Sequence, residues 1–105
     1  MALKKQFLSF QEMLSQCKTP VLVDFYATWC GPCQMMAQVL EQVNTIMGKK
    51  VQIIKIDTDK YPKIASSYKI QALPTLVLFK NGEPINRIEG ALQPQQLIQY
   101  LQSQI

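Results

Sequence analysis

The segment PVLVDFYA, Pro20 to Ala27, constrains the fold more than any other stretch of the chain. It is nearly all apolar and rich in β-branched and aromatic residues. It is too short for a helix and lacks the alternation of a half-wet strand. Such a run suits a central strand covered on both faces. The pattern changes at once to a helical one, starting from about Pro32. Met36, Val39, Leu40, Val43, Ile46 and Met47 give that helix its apolar face. Gly48 is expected to end it in a left-handed cap, with Lys49 and Lys50 complementing the negative end.

The same punctuation repeats along the chain. VQIIKI, Val51 to Ile56, is the next strand. TDKYPKIASSYKI carries a short helix, with Asp59 as its expected cap and Pro62 in the first turn. TLVLF, Thr75 to Phe79, is another buried strand. Asn81-Gly82 is a strong hairpin signal and leads into an edge strand from Ile85 to Glu89, with Pro84 tolerated at its start. At the front, Ser9 and Glu12 have capping-box spacing. Phe10, Met13, Leu14 and Cys17 then form one apolar stripe. At the back, Pro94 opens a closing helix on which Leu97, Leu101 and Ile105 recur and glutamines fill the wet face. A weak strand is expected before the first helix. The order implies a single α/β domain over residues 1–105: a mixed sheet, part parallel and part antiparallel hairpin, with helices on both faces.

Composition removes several classes of function. The chain has 105 residues, 11 basic and 7 acidic, for a net charge of +4. The lysines are scattered rather than gathered into a stripe, which argues against nucleic acid. No apolar run approaches the ~20 residues of a membrane span. The start, MALKKQFLSF, lacks the apolar core of a signal peptide. Three cysteines form an odd set, unlike a secreted disulfide scaffold, and favour a reducing compartment such as the cytoplasm.

Two of those cysteines, Cys30 and Cys33, stand in WCGPC at the junction of central strand and helix. Three readings compete. A closed zinc site needs four ligands, and the chain has no histidine and one further cysteine, Cys17, on a core stripe. A structural staple across so short a loop removes little chain entropy. A redox pair has positive support. Unpaired N–H groups and the helix dipole at the N-terminus favour a thiolate at Cys30. Cys33 lies one turn on, on the same side, and can reach back to close a disulfide. Gly31 permits the tight turn, and Pro32 fits the first turn without losing a hydrogen bond. Cys30 is expected to be the exposed nucleophile and Cys33 the shielded resolving thiol. For Cys17 the simpler reading is a small buried hydrophobe.

Other residues break their surroundings. Asp24 interrupts the apolar strand six residues before Cys30. It is either a satisfied structural acid or a proton acceptor for Cys33, with burial raising its pKa in either case. Lys55 interrupts the next strand. Either its ammonium approaches Asp24 and moderates the acid, or its stem is buried and its head reaches water. Leu73-Pro74-Thr75 opens a buried strand, where a cis Leu73–Pro74 bond would suit a tight turn beside a redox site.

Together these stretches, VLVDFYATWCGPC, IIKIDTD, LPTLVLFKNGE and EGAL, resemble the thioredoxin family over almost the whole chain. KIDTDKYP and YKIQALPT are most similar to its y-type branch. The resemblance implies the thioredoxin fold and reduction of protein disulfides by Cys30 and Cys33, the redox-active disulfide being used with no other cofactor. It implies that Asp24 assists proton transfer and that Pro74 is cis. It implies an apolar docking surface around Trp29, Gly31, Pro32, Leu73, Pro74 and Gly90. The implied partners are disulfide-containing clients, for the y-type branch peroxiredoxins and methionine sulfoxide reductases. Recharging would come from an NADPH- or ferredoxin-dependent thioredoxin reductase. A monomer is expected, in the cytoplasm or, for a mature organellar form, the plastid stroma. Three residues depart from the common pattern. Tyr26 replaces a second tryptophan and should alter the fluorescence reporter. Gln38 replaces a kinking proline and predicts a straighter helix. Ala72 replaces a glycine beside the docking surface and bears on client preference.

Overall fold

A computed structural model describes the backbone of residues 3–105 and the side chains from Phe10 onward. The elements in order are α1 (Leu3–Gln16), β1 (Val21–Tyr26), α2 (Gly31–Met47), β2 (Gln52–Asp57), α3 (Pro62–Ser67), β3 (Thr75–Lys80), β4 (Glu83–Glu89) and α4 (Pro94–Gln104). The strands form one sheet in the order β2-β1-β3-β4. β1 pairs in parallel with β2, while β1–β3 and β3–β4 are antiparallel. This is the expected mixed sheet, and the apolar run of β1 lies inside it.

Strand periodicity divides the core into two layers. Val21, Val23 and Phe25 of β1 join Val77 and Phe79 of β3 beneath α1 and α3, where Phe10, Leu14, Ile64 and Ala65 cover them. Leu22, Leu76 and Leu78 face the other way, against Met36, Leu40 and Val43 of α2 and Leu97 and Leu101 of α4. Helices therefore flank both faces. Every buried residue of β1 is apolar except Asp24, on the α2 side of the sheet.

Several expectations need correction. The segment before Ser9 is helical from Leu3, so no weak strand forms among the described residues. Ser9 and Glu12 then fall inside α1, and Ser9 cannot cap it. The Ser9 side chain lies outside the described residues. Gly48 is not left-handed: its φ is −60°, and its N–H continues the helical pattern to the Asn44 carbonyl at 2.8 Å. A Cβ there would stand 2.5 Å from that carbonyl oxygen, so close approach favours glycine. Asp59 does not cap α3, whose N-cap is Tyr61 with Pro62 following. Ile46 and Ile105 drop out of their stripes and are exposed. The closing helix carries a capping box between Gln93 and Gln96 that the glutamine-rich sequence disguised.

Two loop features tie the elements together. Arg87 of β4 donates to the Tyr68 carbonyl at 2.9 Å and the Lys69 carbonyl at 3.2 Å, fastening the end of α3 to the edge strand. At the hairpin, Asn81 and Gly82 both have positive φ, 54° and 82°. That geometry matches the twist of the strands. Gly82 also approaches α1, where an added Cβ would stand 3.1 Å from the Ser15 Cα. Gly82→Ala is expected to cost about 1–2 kcal/mol, since it meets both the left-handed penalty and the Ser15 backbone. Urea denaturation of the variant measures it; an unchanged midpoint would contradict this account.

Candidate active site

The site sits where β1 hands over to α2. β1 ends at Tyr26, Ala27 through Trp29 turn, and Cys30 becomes the N-cap residue of α2 in an extended conformation (φ −91°, ψ 114°). Pro32 lies in the first turn, where a missing N–H goes unnoticed. Cys33 follows one turn in. The two cysteines are joined in a disulfide, with their Cα atoms 5.2 Å apart. The Cys33 backbone N–H donates to Cys30 Sγ at 3.2 Å. A helix N-terminus thus aims a donor at the first sulfur. When the bond is reduced, that donor and the helix dipole favour the thiolate over the thiol.

Cys30 was expected to be exposed. In the disulfide it is buried, 5% exposed against 3% for Cys33. Tyr26, Ala27 and Leu73 pack around the pair.

Asp24 is fully buried, and neither carboxylate oxygen has a hydrogen-bond partner among the described residues. Burial pushes its pKa from 3.8 up to about 6, while the Lys55 charge pulls the other way. Asp24 and Lys55 are register partners across the parallel β1–β2 pair. Asp24 therefore finds no hydrogen-bonding side chain or backbone group among the described residues to satisfy it. Lys55 is exposed, and its charge opposes the rise in the Asp24 pKa. Its Nζ stands 4.9 Å from the centre of the Tyr26 ring.

The Leu73–Pro74 bond is cis. Pro74 is buried, and its carbonyl accepts from the Gly90 N–H at 2.8 Å, drawing Gly90 beside it. Gly90 has a φ of 97°, a conformation other residues rarely adopt. Thr75 donates its hydroxyl to the Ala72 carbonyl at 2.6 Å and closes the turn before the proline. Trp29, Gly31 and Pro32 are exposed beside the cysteines, and Leu73 is half-buried. α2 runs unbroken through Gln38.

Two contacts had no signal in the sequence. Trp29, 71% exposed, is held by its indole N–H, which donates to Asp59 Oδ2 at 2.8 Å. Asp59 was read as a helix cap because it precedes Pro62, and nothing local links it to Trp29. Likewise the Tyr26–Lys55 contact depends on strand register, which one sequence does not reveal.

A dithiol pair at the head of a helix, beside a cis-proline and above a buried acid, defines a thiol–disulfide oxidoreductase. The family model described as Thioredoxin matches residues 2–103, and the chain belongs to that family as a protein-disulfide reductase. It is 65% identical to the thioredoxin-like protein slr0233 of Synechocystis, over 97% of each chain. It is 56% identical to the chloroplastic thioredoxin Y of rice, Oryza sativa, over 97% of this chain and 61% of the rice protein. These relatives agree with the y-type resemblance. The chain spans about three fifths of the rice protein's length. Among solved structures, one concerned with the thiol-resolving mechanism of a yeast mitochondrial 1-Cys peroxiredoxin via glutathione/thioredoxin systems superposes with a TM-score of 0.83. That match is 35% identical and covers 91% of this chain and 88% of the other. No helix among the described residues is long and apolar enough to cross a membrane.

Proposed function

We propose that the chain carries electrons from a thioredoxin reductase, NADPH- or ferredoxin-dependent, to peroxiredoxins or methionine sulfoxide reductases in a cytoplasm or plastid stroma. The observation that carries this reading is the Cys33 N–H aimed at Cys30 Sγ from the start of α2. It gives the two sulfurs different jobs. Cys30, as thiolate, attacks one sulfur of a client disulfide. A mixed disulfide forms, and the other client sulfur leaves as a thiolate and takes a proton from solvent. Cys33 passes its proton to Asp24 and attacks Cys30 Sγ. The mixed disulfide breaks, the second client sulfur departs as a thiolate that takes a proton from solvent, and Asp24 returns its proton to solvent. Two electrons have moved to the client, and the chain is left with the Cys30–Cys33 bond.

Asp24 suits the proton step because a buried carboxyl with a pKa near 6 takes up a proton more readily than an ordinary one. Lys55 tempers that basicity. Trp29, Gly31, Pro32, Leu73, Pro74 and Gly90 form the surface on which the client lies. The solved neighbour concerned with peroxiredoxin resolution and the similarity to thioredoxins Y support the choice of client.

The test is a reconstituted assay with oxidised peroxiredoxin, peroxide, this chain and a reductase. Peroxide consumption is expected to depend on the chain and to vanish with Cys30→Ser. Efficient insulin reduction without peroxide consumption would overturn the client assignment while leaving the reductase activity intact.

A further inference from the structure

The cleft beside Cys33 encloses about 200 Å³ and is lined by Tyr26, Ala27, Cys33, Gln34, Ala37 and Lys55, among others. It opens toward the resolving sulfur rather than the attacking one. Lys55 lies opposite Asp24 in the strand register, yet among the described residues no ion pair joins them. The ammonium stands instead over the Tyr26 ring. Tyr26 and Asp24 are two residues apart on β1, so both point to the α2 side of the sheet.

We propose that Tyr26 is a positioning residue for the resolving step: its ring holds the Lys55 ammonium at the mouth of the Cys33 cleft. There the charge favours both the thiolate of Cys33 and the ionised form of Asp24. Without the ring, a four-carbon stem at a sheet edge leaves its charge free to move into solvent. A cation over an aromatic face is attracted by the ring's negative quadrupole, and that attraction limits the movement. The groups facing Asp24 are few. Lys55 comes from β2 and Tyr26 from β1 itself, the β3 partner is the apolar Leu76, and from α2 Cys33 lines the cleft that Tyr26 and Lys55 also line. Around the Tyr26 ring the other charged or titratable neighbours are Asp57 and Tyr61.

This inference rests on the reading of Asp24 as the base, and its test reads the electrostatic link separately from the chemistry. The Asp24 carboxyl is titrated by carbon NMR in the oxidised protein, where no turnover occurs. Tyr26→Leu is expected to raise the midpoint by roughly half a pH unit, about threefold in proton affinity. Tyr26→Phe, which keeps the ring, should restore it. In a Lys55→Gln background, Tyr26→Leu should cause no further shift. Should Tyr26→Leu fold poorly, Tyr26→Trp provides the opposite arm: a larger ring lowers the midpoint only while Lys55 is present. An equal shift by Tyr26→Leu with and without Lys55, or a shift by Tyr26→Phe as large as that by Tyr26→Leu, would overturn the proposal. If the linkage appears while client release by the reduced protein keeps its pH dependence, then Asp24 is not the base. The clamp would survive that result.

Discussion

Cys33→Ser is expected to capture clients covalently and to lose at least about a thousandfold in insulin reduction. The resolving attack in the native chain is intramolecular, between residues one helical turn apart, and such positioning is worth effective concentrations of up to about 10⁵ M or more. A serine cannot make that attack, and external dithiothreitol at ordinary concentrations is a poor substitute. The mixed disulfide on Cys30 therefore accumulates. Cys30→Ser should neither capture clients nor turn over, because Cys33 is slightly the more buried and, among the described residues, no N–H donates to its sulfur as the Cys33 N–H does to Cys30 Sγ. Non-reducing gels of lysate passed over each immobilised variant give the comparison. Equal capture by both variants would contradict the assigned roles.

Asp24→Asn should stabilise the fold at neutral pH and slow client reduction. The folded carboxyl has its pKa raised from 3.8 to about 6 by burial, with Lys55 opposing. A raised pKa means the native state binds the proton more tightly than the unfolded chain does. The stability this provides is fully present below pH 3.8 and is lost as pH climbs to about 6. At neutral pH the native protein then carries a buried, unpaired charge at a cost of up to about 3 kcal/mol. Asparagine removes the charge but leaves an unsatisfied amide, so the net gain is smaller, on the order of 10 °C in Tm. The gain should be small at pH 4 and large at pH 7.5. A difference that is the same at both values would mean that Asp24 does not titrate between them. Insulin reduction at pH 7 should fall by up to about a hundredfold, because the proposed general base is removed.

How much of this was legible beforehand depends on the range of the interaction. β1, β3 and the Asn81-Gly82 turn announce themselves locally, through unbroken apolar runs and a dipeptide suited to positive φ. The cysteine pair was legible for the same reason: strand, Gly-Pro and helix start are adjacent in the chain. Asp24 stood out because one acid in an apolar strand has few explanations. The end of α2 was misread because glycine serves both left-handed caps and close contacts, and composition does not distinguish them. Asp59 was misread because its partner, Trp29, is thirty residues away. The exposure of Cys30 was misjudged because Leu73 reaches it from a loop more than forty positions further on. Local signals gave the elements and the cysteine pair. Contacts set by strand register and loop closure had to wait for coordinates.

The two ties on the segment from Lys69 to Pro74 bear on recognition. Arg87 secures its entrance at the carbonyls of Tyr68 and Lys69, and the Gly90 N–H secures its exit at Pro74. Both anchors come from β4 or the residue just after it. On the proposed docking surface, a peptide laid along Leu73 would meet a rim whose disorder was already removed when the chain folded, and binding would spend little free energy on organising its receptor.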